Sequence, residues 1–530
     1  MLKARDISSM FKQLFGKHPA SRSFTNKAAQ TAAETSNQRI YPLVQDNLQA
    51  IKQSLHHPSD LVIRSFTVGP SQTLCATASI DGLVDTAQIN EQLLKPMMHS
   101  FDYVTSSAEE MCSVLEQQVL STYQVKRIAT MDDVIYNILS GNTVLFINES
   151  PDAIAVTTIG WKSRAIEEPQ TESIIRGPRA GFTEDLRTNT AMIRRRMKEP
   201  NLVFDNYQIG RRGKRDVVIA YIVGIVHPDL VKEITKRVQS IDIDDIDGSG
   251  FLEHWIADSF LSPFPLILNT ERPDKVTTSL LQGRVAILVD GDPFALILPI
   301  TFSSSLHSPE DYYQHWMISS LTRVLRLGAA FIATFLPALY VALLEYHHGM
   351  IPSKLAFSIA GAREGVPFPA VVEAFAMEIT LELLREAGLR LPKPIGQTIG
   401  IVGGLVIGEA AVAAGMVSPV MVIVVAITAI ASFALPSYSF AITLRMIRFG
   451  IMLAAAFFGL FGIILTYIMI NVHITNLMSF GIPYSTPFAP LLKQDWKDLI
   501  LRVPTIFLKR RPEMMQPQNP DRMKKESDPS

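Results

Sequence analysis

The stretch LGAAFIATFLPALYVALLEY, residues 327–346, decides the class of fold of this 530-residue chain. Its only charged residue is Glu345, next to its end. A helix needs about 20 predominantly apolar residues to cross the hydrocarbon core of a bilayer, and this run has that length. Arg323 and Arg326 stand just before it, and basic residues often flank a membrane span. We therefore predict a transmembrane helix at about 327–346.

Further apolar runs follow toward the C-terminus. They predict an all-α transmembrane domain over residues 321–476, with helices at about 327–346, 369–387, 398–416, 419–436 and 450–472. Residues 477–530 are expected to form a C-terminal segment and a disordered tail, because the chain from Lys509 onward is charged and rich in proline.

The first 320 residues have the composition of a soluble protein. Strand-like and helix-like patterns alternate in two blocks, which predicts an α/β region with subdomains at 58–160 and 161–320. Residues 1–57 are expected to hold a short amphipathic helix and a flexible linker. The N-terminus shows no secretory signal pattern, so we expect this region to be cytosolic.

The run RVAILVDGDPFALILPITF, residues 284–302, is nearly long enough to be another membrane span. However, the sequence Asp-Gly-Asp-Pro at 290–293 divides it into two short apolar arms with a turn between them. This pattern favours a β-hairpin over a transmembrane helix.

Composition and motifs argue against several functions. The formal net charge is −1, which gives no reason to expect nucleic acid as a partner. The acidic stretch IDIDDIDGSG, residues 241–250, does not match a calcium loop, because it has no acidic residue at the first loop position and no glutamate follows at the last. We find no phosphate loop, no histidine–cysteine cluster with metal spacing and no nucleophile signature. We therefore expect no catalytic residues, no metal and no cofactor, and do not expect an enzyme.

Three glutamates mark the second predicted helix. Glu378, Glu382 and Glu386 recur every four residues and therefore share one helical face, while the rest of the helix is largely apolar. One interpretation is a crossing helix whose carboxylates line a cation pathway, repeated in a ring of identical subunits. The other is an interfacial helix with its acidic face in water. Glu409, a lone acid within 398–416, is a further candidate for the ion pathway.

Basic residues test whether 369–387 crosses the membrane. If it does, both Arg385, Arg390, Lys393 and Arg445, Arg448 lie in the cytosol, as the positive-inside rule prefers. Five crossings would then leave the basic C-terminal tail outside, unless the stretch SFGIPYSTPFAPLL, residues 479–492, re-enters the membrane. The sequence leaves this conflict open.

An arginine-rich segment surrounds a Gly-Pro turn in the second subdomain. It is either an anion site, a contact that couples subunits through arginine–carboxylate pairs, or simply a solvated basic surface. The candidate residues are Arg176, Arg179, Glu184, Arg194, Arg195 and Arg196.

Several long blocks closely resemble the A subunit of GerA-type spore germination receptors. They are EEPQTESIIRGPRAGFTEDLRTNTAMIRRRM (167–197), ERPDKVTTSLLQGRVAILVDGDPFALILP (271–299), LPALYVALLEYHHGMIP (336–352) and LELLREAGLRLPKPIGQTIGIVGGLVIGEAAVAAG (381–415). The resemblance extends from about residue 60 to beyond residue 500.

The resemblance implies a multi-pass protein of the spore inner membrane with a cytosolic N-terminal domain. Its implied partners are a transporter-like B subunit, a lipoprotein C subunit and further copies of itself. Its implied role is a nutrient-gated cation pathway that opens to start germination, which favours the ring interpretation of the glutamates. A scaffold without its own pore, or an A-like accessory of the dipicolinate-release machinery, is the alternative.

Overall fold

The computed structural model of the chain describes residues 38–99, 107–120, 124–160, 168–169, 171–390 and 408–523. The chain folds into two compact units. The first comprises residues 1–164 and 190–204, and the second comprises 165–189 and 205–530. The predicted amphipathic helix and most of the predicted linker, residues 1–37, lie outside the described residues.

The first unit is built on a five-stranded antiparallel sheet. Its strands are β1 (Leu61–Val68), β2 (Thr73–Ile80), β3 (Val125–Ile128), β4 (Asn142–Ile147) and β5 (Ala153–Thr157), in the order β1-β2-β4-β5-β3. Helices cover both faces, so β4 and β5 consist almost entirely of buried residues.

Each face of this sheet has its own apolar cluster. α1 (Val44–Ser54) and α4 (Met131–Leu139) pack with Ala76, Ala78 and Val144 on one face. Two helical segments, α2 (86–99) and α3 (108–119), pack with Cys75, Leu145 and other residues on the opposite face. Because side chains alternate across a strand, neighbouring residues such as Cys75 and Ala76 serve opposite clusters.

The second unit contains another five-stranded sheet. α5 (Leu186–Arg196), most of which belongs to the first unit, precedes β6 (Leu202–Ile209). The chain continues with β7 (Arg215–Ile222), α6 (Pro228–Gln239), α7 (Ser249–Ile256), β8 (Leu268–Thr270), α8 (Pro273–Leu280), β9 (Val285–Val289) and β10 (Ala295–Leu298). The strand order is β6-β7-β9-β10-β8. β9 and β10 form an antiparallel hairpin in which Leu296 faces Ile287, with its turn in the Asp-Gly-Asp-Pro sequence.

A helical bundle follows the second sheet. Its helices are α9 (Trp316–Glu345), α10 (Ser353–Arg363), α11 (Ala370–Arg390), α12 (Pro419–Phe433) and α13 (Tyr438–Asn476). Within the described residues, α9 and α13 are long and apolar enough to cross a membrane, and α12 is a shorter apolar helix. The predicted order of an α/β region followed by an all-helical region is confirmed. Most of the predicted helix at 398–416 lies outside the described residues.

Contacts at the helix ends give each helix a direction. We call the end of the bundle where α9 finishes, at Glu345, the distal end, and the end where α9 begins the proximal end. Glu345 Oε1 accepts a hydrogen bond from the Ala370 amide at 2.7 Å, so α11 begins at the distal end. The amide of Ser418 bonds to Glu373 Oε2 at 2.9 Å, so α12 also begins there. Both helices therefore run toward the proximal end.

The last helix, α13, reverses direction at Gly459. The ring of Phe264 lies 6.4 Å from the ring of Phe440 and 6.0 Å from the ring of His473, between centroids. A straight helix would separate Phe440 and His473 by roughly 50 Å, at about 1.5 Å per residue. Gly459 has φ +58° and ψ −137°, a conformation that essentially only glycine adopts. The region therefore consists of two antiparallel arms, 438–458 and 460–476.

This reversal corrects the predicted single helix at 450–472. That range spans both arms, and no charged or proline-rich loop separates them. Gly462 allows the arms to approach closely, because a Cβ atom there would collide with the carbonyl oxygen of Ala454. The turn at the distal end is held by Tyr346, whose hydroxyl donates to the Ala456 carbonyl oxygen at 2.6 Å.

The C-terminal segment is ordered as far as residue 523, so the predicted disordered tail is wrong for residues 509–523. Two short strands, β11 (Met478–Ser479) and β12 (Ile482–Pro483), return the chain to the second sheet. Arg511 Nε then donates to the Leu281 carbonyl oxygen at 2.8 Å. The backbone amide of Gln518 donates to the Ile225 carbonyl oxygen at 2.9 Å. These contacts with backbone carbonyl oxygens, together with the buried side chain of Met515, hold a charged, proline-rich sequence in place. Residues 524–530 lie outside the described part.

Candidate functional site

Helix α11 carries four glutamates, and each of them meets an arginine. The helix forms because residues 370–390 are mostly strong helix formers, with alanine, leucine and glutamate prominent. The four acids lie on successive turns from the distal to the proximal end. The ion pairs are Glu373–Arg363, Glu378–Arg448, Glu382–Arg385 with Arg445, and Glu386–Arg390. We call this set the charge ladder.

The pair of Glu378 and Arg448 lies at the centre of the charge ladder. Arg448 Nη2 is 2.7 Å from Glu378 Oε2, and both side chains are completely buried. The contact is an ion pair without well-aligned hydrogen bonds. Arg448 Nη1 also reaches the Ala333 carbonyl oxygen on α9, at 3.5 Å. The pair therefore connects α11 to both α13 and α9.

One turn further along α11, Glu382 is shared between two arginines. Arg385 Nη1 lies 2.8 Å from Glu382 Oε2, and Arg445 Nε lies 3.6 Å from Oε1. Both arginines are largely buried, whereas the side chain of Glu382 is 40% exposed. The guanidinium of Arg385 also stacks on Phe433 of α12, 5.1 Å from the ring centroid. This rung lies where the packed interior of the bundle meets its surface.

The ends of the charge ladder differ in burial. At the distal end Glu373 is buried, with Oε1 2.9 Å from Arg363 Nη2 and Oε2 accepting the Ser418 amide. At the proximal end Glu386 and Arg390 are both exposed and lie 2.6 Å apart. Exposed pairs contribute roughly 0–1 kcal/mol, while a buried charge that loses its partner is costly. The distal and central rungs are therefore the ones on which the bundle depends.

The glutamates predicted to line an ion pathway differ in their burial. Glu378 faces arginine inside the bundle, while Glu382 and Glu386 are partly or largely exposed. Glu409 is exposed, and no ion pair with another described residue is seen. The predicted helical stripe is present, but its first member, Glu378, packs against an arginine of the same chain and not against an open channel. Lys393 lies outside the described residues.

Residues of the arginine-rich segment fall in both units. In the first unit, Arg194 is 1% exposed and binds Asp60 through two hydrogen bonds of 2.9 and 3.0 Å. It also stacks on the ring of Phe204, so it belongs to the packing of that unit. Arg195 and Arg196 are exposed.

In the second unit, Arg176, Arg179 and Glu184 are exposed, and Arg179 lies 3.7 Å from Glu168. The backbone of Glu184 is fixed, since its carbonyl oxygen accepts the Gly291 amide at 2.8 Å. Exposed side chains on a fixed backbone are suited to contact another molecule.

A second buried ionic network joins the start of α9 to the C-terminal segment. Asp311 Oδ2 accepts Arg323 Nε at 3.1 Å, and Asp311 Oδ1 accepts Arg326 Nη1 at 2.8 Å. Arg323 Nη1 also donates to Asp498 Oδ1 at 2.8 Å, and Arg502 binds the Asp311 carbonyl oxygen. This network ties the base of the first long apolar helix to residues 498–502.

Sequence reasoning missed the partners of the glutamates. The sequence pattern predicted Arg445 and Arg448 as charges that flank the membrane spans, but they lie within a long apolar helix. A charge in such a place needs an opposite charge or water, and this signal points to the glutamates of α11. Among the residues described, no group of three or more histidine, cysteine, aspartate or glutamate side chains is arranged to hold a metal.

Comparison with known proteins gives consistent matches. A model of the Bacillus/Clostridium GerA spore germination protein family matches residues 49–514. The chain is 49% identical over 469 residues to spore germination protein GerLA of Bacillus cereus, which covers 88% of this chain and 95% of that protein. It is 43% identical over 509 residues to the uncharacterized membrane protein YfkQ of Bacillus subtilis (strain 168), covering 95% of this chain and 98% of that one.

A solved structure is also similar. It is the crystal structure of the N-terminal domain of the A subunit of the Bacillus megaterium spore germinant receptor GerK3. The match has 34% sequence identity and a TM-score of 0.40, and covers 50% of this chain and 98% of that chain.

Proposed function

The chain belongs to the Bacillus/Clostridium GerA spore germination protein family, and we propose that it is the A subunit of a nutrient-responsive germination receptor, forming a gated cation pathway in the spore inner membrane. The observation that carries this proposal is the charge ladder, a row of acid–arginine pairs that runs through an apolar helical bundle. We infer that a transporter-like B subunit and a lipoprotein C subunit act with it, as in the receptors it resembles.

The surface of the bundle supports a position in the membrane. Its helices expose many large apolar side chains, and such a surface suits lipid more than water. Examples are Phe331, Ile430, Phe457, Phe461 and Ile464, all at least 56% exposed. The similarity to YfkQ, which is named a membrane protein, agrees with this position.

The helix directions support six crossings. α9 runs from the proximal to the distal end, and α11 and α12 both run from the distal to the proximal end. The first arm of α13 runs to the distal end, and the second arm runs back to the proximal end. Arg390 ends α11 at the proximal end, while Gly415 approaches Gly365 at the distal end. The span predicted from the sequence at 398–416 would supply the sixth crossing. An even number of crossings puts the C-terminal segment on the side of the second sheet. Under this proposal, the basic C-terminal segment stays on the cytosolic side without a re-entrant loop.

The pathway follows the partly exposed side of the charge ladder. A carboxylate such as Glu382 is costly in contact with lipid, so in the membrane its exposed face requires water or a second subunit. In an oligomer, Glu382 and Glu386 from each copy would form rings of negative charge that select cations. Glu378 and Glu409 complete the proposed pathway, with Glu378 becoming available only when its pair with Arg448 opens.

Pairing with arginine gives the pathway a closed state. While each glutamate neutralises an arginine, the pathway offers little net negative charge to a cation. Nutrient binding to a partner subunit would have to favour a state in which α11 and α13 separate, since only differential affinity shifts such an equilibrium. The exposed residues Arg176, Arg179, Glu184, Arg195 and Arg196 are proposed contacts between subunits, through which this change is coupled.

Cation release from spores tests the pathway. We expect Glu382→Gln and Glu386→Gln together to change the rate or selectivity of cation release after nutrient addition, because they remove the two partly or largely exposed carboxylates of α11. Glu364→Gln, an exposed acid between α10 and α11, serves as the control and should behave as wild type. Unaltered release by the double variant, at normal protein level on an immunoblot, would reject these residues as part of the pathway.

The alternative is a scaffold that holds a transporter-like partner while the pore lies elsewhere. The complete pairing of the α11 glutamates favours this alternative, because paired charges stabilise packing without any conduction. The same experiment distinguishes the two: a scaffold predicts normal cation release from the double variant, as long as the receptor assembles.

A further inference from the structure

A small cavity lies in the second unit, beside α8 and the segment that leads to α9. Its volume is about 80 Å³. A single water needs about 10–15 Å³ in this measure, so the cavity has room for several waters or one small ligand. Its polar or charged lining residues include Asp274, Lys275, Thr278, Arg284, Ser304 and Tyr312.

Arg284 supplies the cavity with a buried positive charge. Its side chain is 6% exposed and forms no ion pair with any acid in the described part of the chain. Nη2 donates to Ser304 Oγ at 3.0 Å, but Nε has no hydrogen-bond partner. Burial lowers the pKa of this guanidinium to about 10, which still leaves it charged at neutral pH. A buried cation of this kind requires a counter-ion.

The other charges at the cavity are already balanced. Lys275 Nζ lies 2.6 Å from Glu172 Oε1, and Asp274 Oδ2 lies 2.9 Å from Arg272 Nη2. His307 is neutral at pH 7, because burial together with the nearby charge of Arg323 lowers its pKa to about 4. The cavity therefore has a net charge of about +1, from Arg284 alone.

The remaining polar groups suit a hydrogen-bonding ligand. Thr278, Ser279 and Ser308 bring hydroxyl groups to the wall. Asp274 Oδ1 is buried without a hydrogen-bond partner, so a ligand that carries a donor as well as a negative charge would satisfy it. A hydrogen phosphate ion, or a small carboxylate bearing a hydroxyl or ammonium group, has both features.

We propose that this cavity binds a small anion of the carboxylate or phosphate class, with the Arg284 guanidinium as its counter-ion. The shared chemistry is an oxyanion that accepts hydrogen bonds from the guanidinium in the plane of its nitrogen atoms. A volume of about 80 Å³ suits a small anion. This site lies apart from the charge ladder, and the proposal does not depend on the membrane role.

The site is placed where an anion would affect the base of α9. Tyr312 lines the cavity, and its hydroxyl donates to Asp498 Oδ2 at 2.9 Å. His307, also at the wall, bonds through Nε2 to the Leu499 carbonyl oxygen at 2.9 Å. Both contacts reach the C-terminal segment that pairs with Arg323 of α9. Occupation of the cavity therefore stabilises the junction between the second sheet and the helical bundle.

Thermal unfolding of the detergent-solubilised full chain tests the proposal. Inorganic phosphate, acetate and glycine are each titrated against sodium chloride of equal ionic strength, in a buffer without other oxyanions. We expect a saturable rise in melting temperature with at least one of the three. A response to phosphate alone identifies the phosphate class, and a response to acetate or glycine identifies a carboxylate. No saturable response to any of them overturns the proposal.

Two variants locate the binding. Arg284→Met should abolish the saturable rise, while Arg212→Gln, at an arginine that is 84% exposed, should keep it. If Arg284→Met does not fold, Thr278→Met narrows the cavity without a change of charge and should weaken binding at least tenfold. An undiminished response in the folded Arg284→Met or Thr278→Met variant would place the anion elsewhere and overturn the assignment.

Discussion

Arg448 Nη2 lies 2.7 Å from Glu378 Oε2 in the interior of the helical bundle, and both side chains are completely buried. The two residues belong to helices that run in opposite directions, α11 and the first arm of α13. One turn away, Glu382 contacts Arg445 in the same register. Burial of two charges is costly, and their attraction offsets that cost only while both partners are present. The pair therefore fixes how these helices pack.

Removal of one partner should destabilise the bundle strongly. We expect Glu378→Gln to lower the free energy of unfolding by about 3–5 kcal/mol, because Arg448 then remains buried without a counter-ion. Thermal unfolding in detergent measures the loss. Glu386→Gln is the matched control, since its pair with Arg390 is exposed and should contribute at most about 1 kcal/mol.

The double variant Glu378→Gln/Arg448→Met should recover most of the stability that Glu378→Gln loses. It removes the unpaired charge and leaves groups of similar length in the packed interior, which is often tolerated well. Equal destabilisation by Glu378→Gln and Glu386→Gln would contradict the assignment of the buried pair as the critical contact.

Much of the architecture follows from local sequence, but the pairings do not. The split apolar run at 284–302 carries its own turn, and the structure has β9 and β10 on either side of it. The glutamate stripe is likewise visible in the spacing of α11. By contrast, Glu378 and Arg448 are far apart in the chain. Their apolar surroundings indicate that each charge needs an oppositely charged partner, but the sequence does not identify that partner.

The reversal at Gly459 shows a second limit. Both arms of α13 are apolar, so the hydropathy pattern predicts one continuous helix. A glycine within an apolar helix usually allows close packing against a neighbouring helix, so Gly459 alone does not predict a turn. Only the contacts of Phe440 and His473 with the same ring reveal the turn.

Chemical labelling should place the C-terminal segment on the same side of the membrane as the second sheet. Lys232→Cys and Lys493→Cys are exposed positions on that side, and Lys354→Cys lies on α10 at the distal end. In vesicles of opposite orientation, an impermeant maleimide should label the first two together and Lys354→Cys only from the other side. Labelling of Lys493→Cys together with Lys354→Cys would refute the six-crossing arrangement.

The native cysteines should give little background in that experiment. Cys75 and Cys112 are buried free thiols. Burial raises the pKa of Cys75 to about 12, and it also raises the pKa of Cys112, so the reactive thiolate is scarce at pH 7.5. The wild-type chain should therefore react much more slowly than any of the three variants.

Glu253 should make the stability of the second unit depend on pH. Burial on α7 raises the pKa of its carboxyl from 4.5 to about 7 in the folded chain. Between these values the folded state holds a proton that the unfolded state has released, so stability falls as the pH rises from 4.5 to 7. Glu253→Gln removes this loss. We expect the variant to be more stable than wild type by about 1–2 kcal/mol at pH 8 and about equal at pH 4.

Melting temperatures of both chains from pH 4 to pH 8 measure this effect. The exposed Glu109 of α3 provides the control, because Glu109→Gln should leave the difference from wild type unchanged across this range. A stability difference between Glu253→Gln and wild type that is the same at pH 4 and pH 8 would show that the carboxyl does not titrate as the structure indicates.

Gly459→Ala should disrupt the turn between the arms of α13. Alanine is strained at φ +58° and ψ −137°, and its Cβ would lie 2.8 Å from His347 Cε1 and 3.0 Å from Tyr346 Cβ. Backbone strain alone costs about 1–3 kcal/mol, and the steric overlap adds to it. Gly450→Ala is the control in the first arm, since its Cβ would meet nothing within 4 Å and alanine favours a helix. We therefore expect Gly459→Ala to lower the melting temperature in detergent and Gly450→Ala to leave it unchanged or raise it. If both variants melt alike, Gly459 does not make the turn that returns the chain to the second sheet.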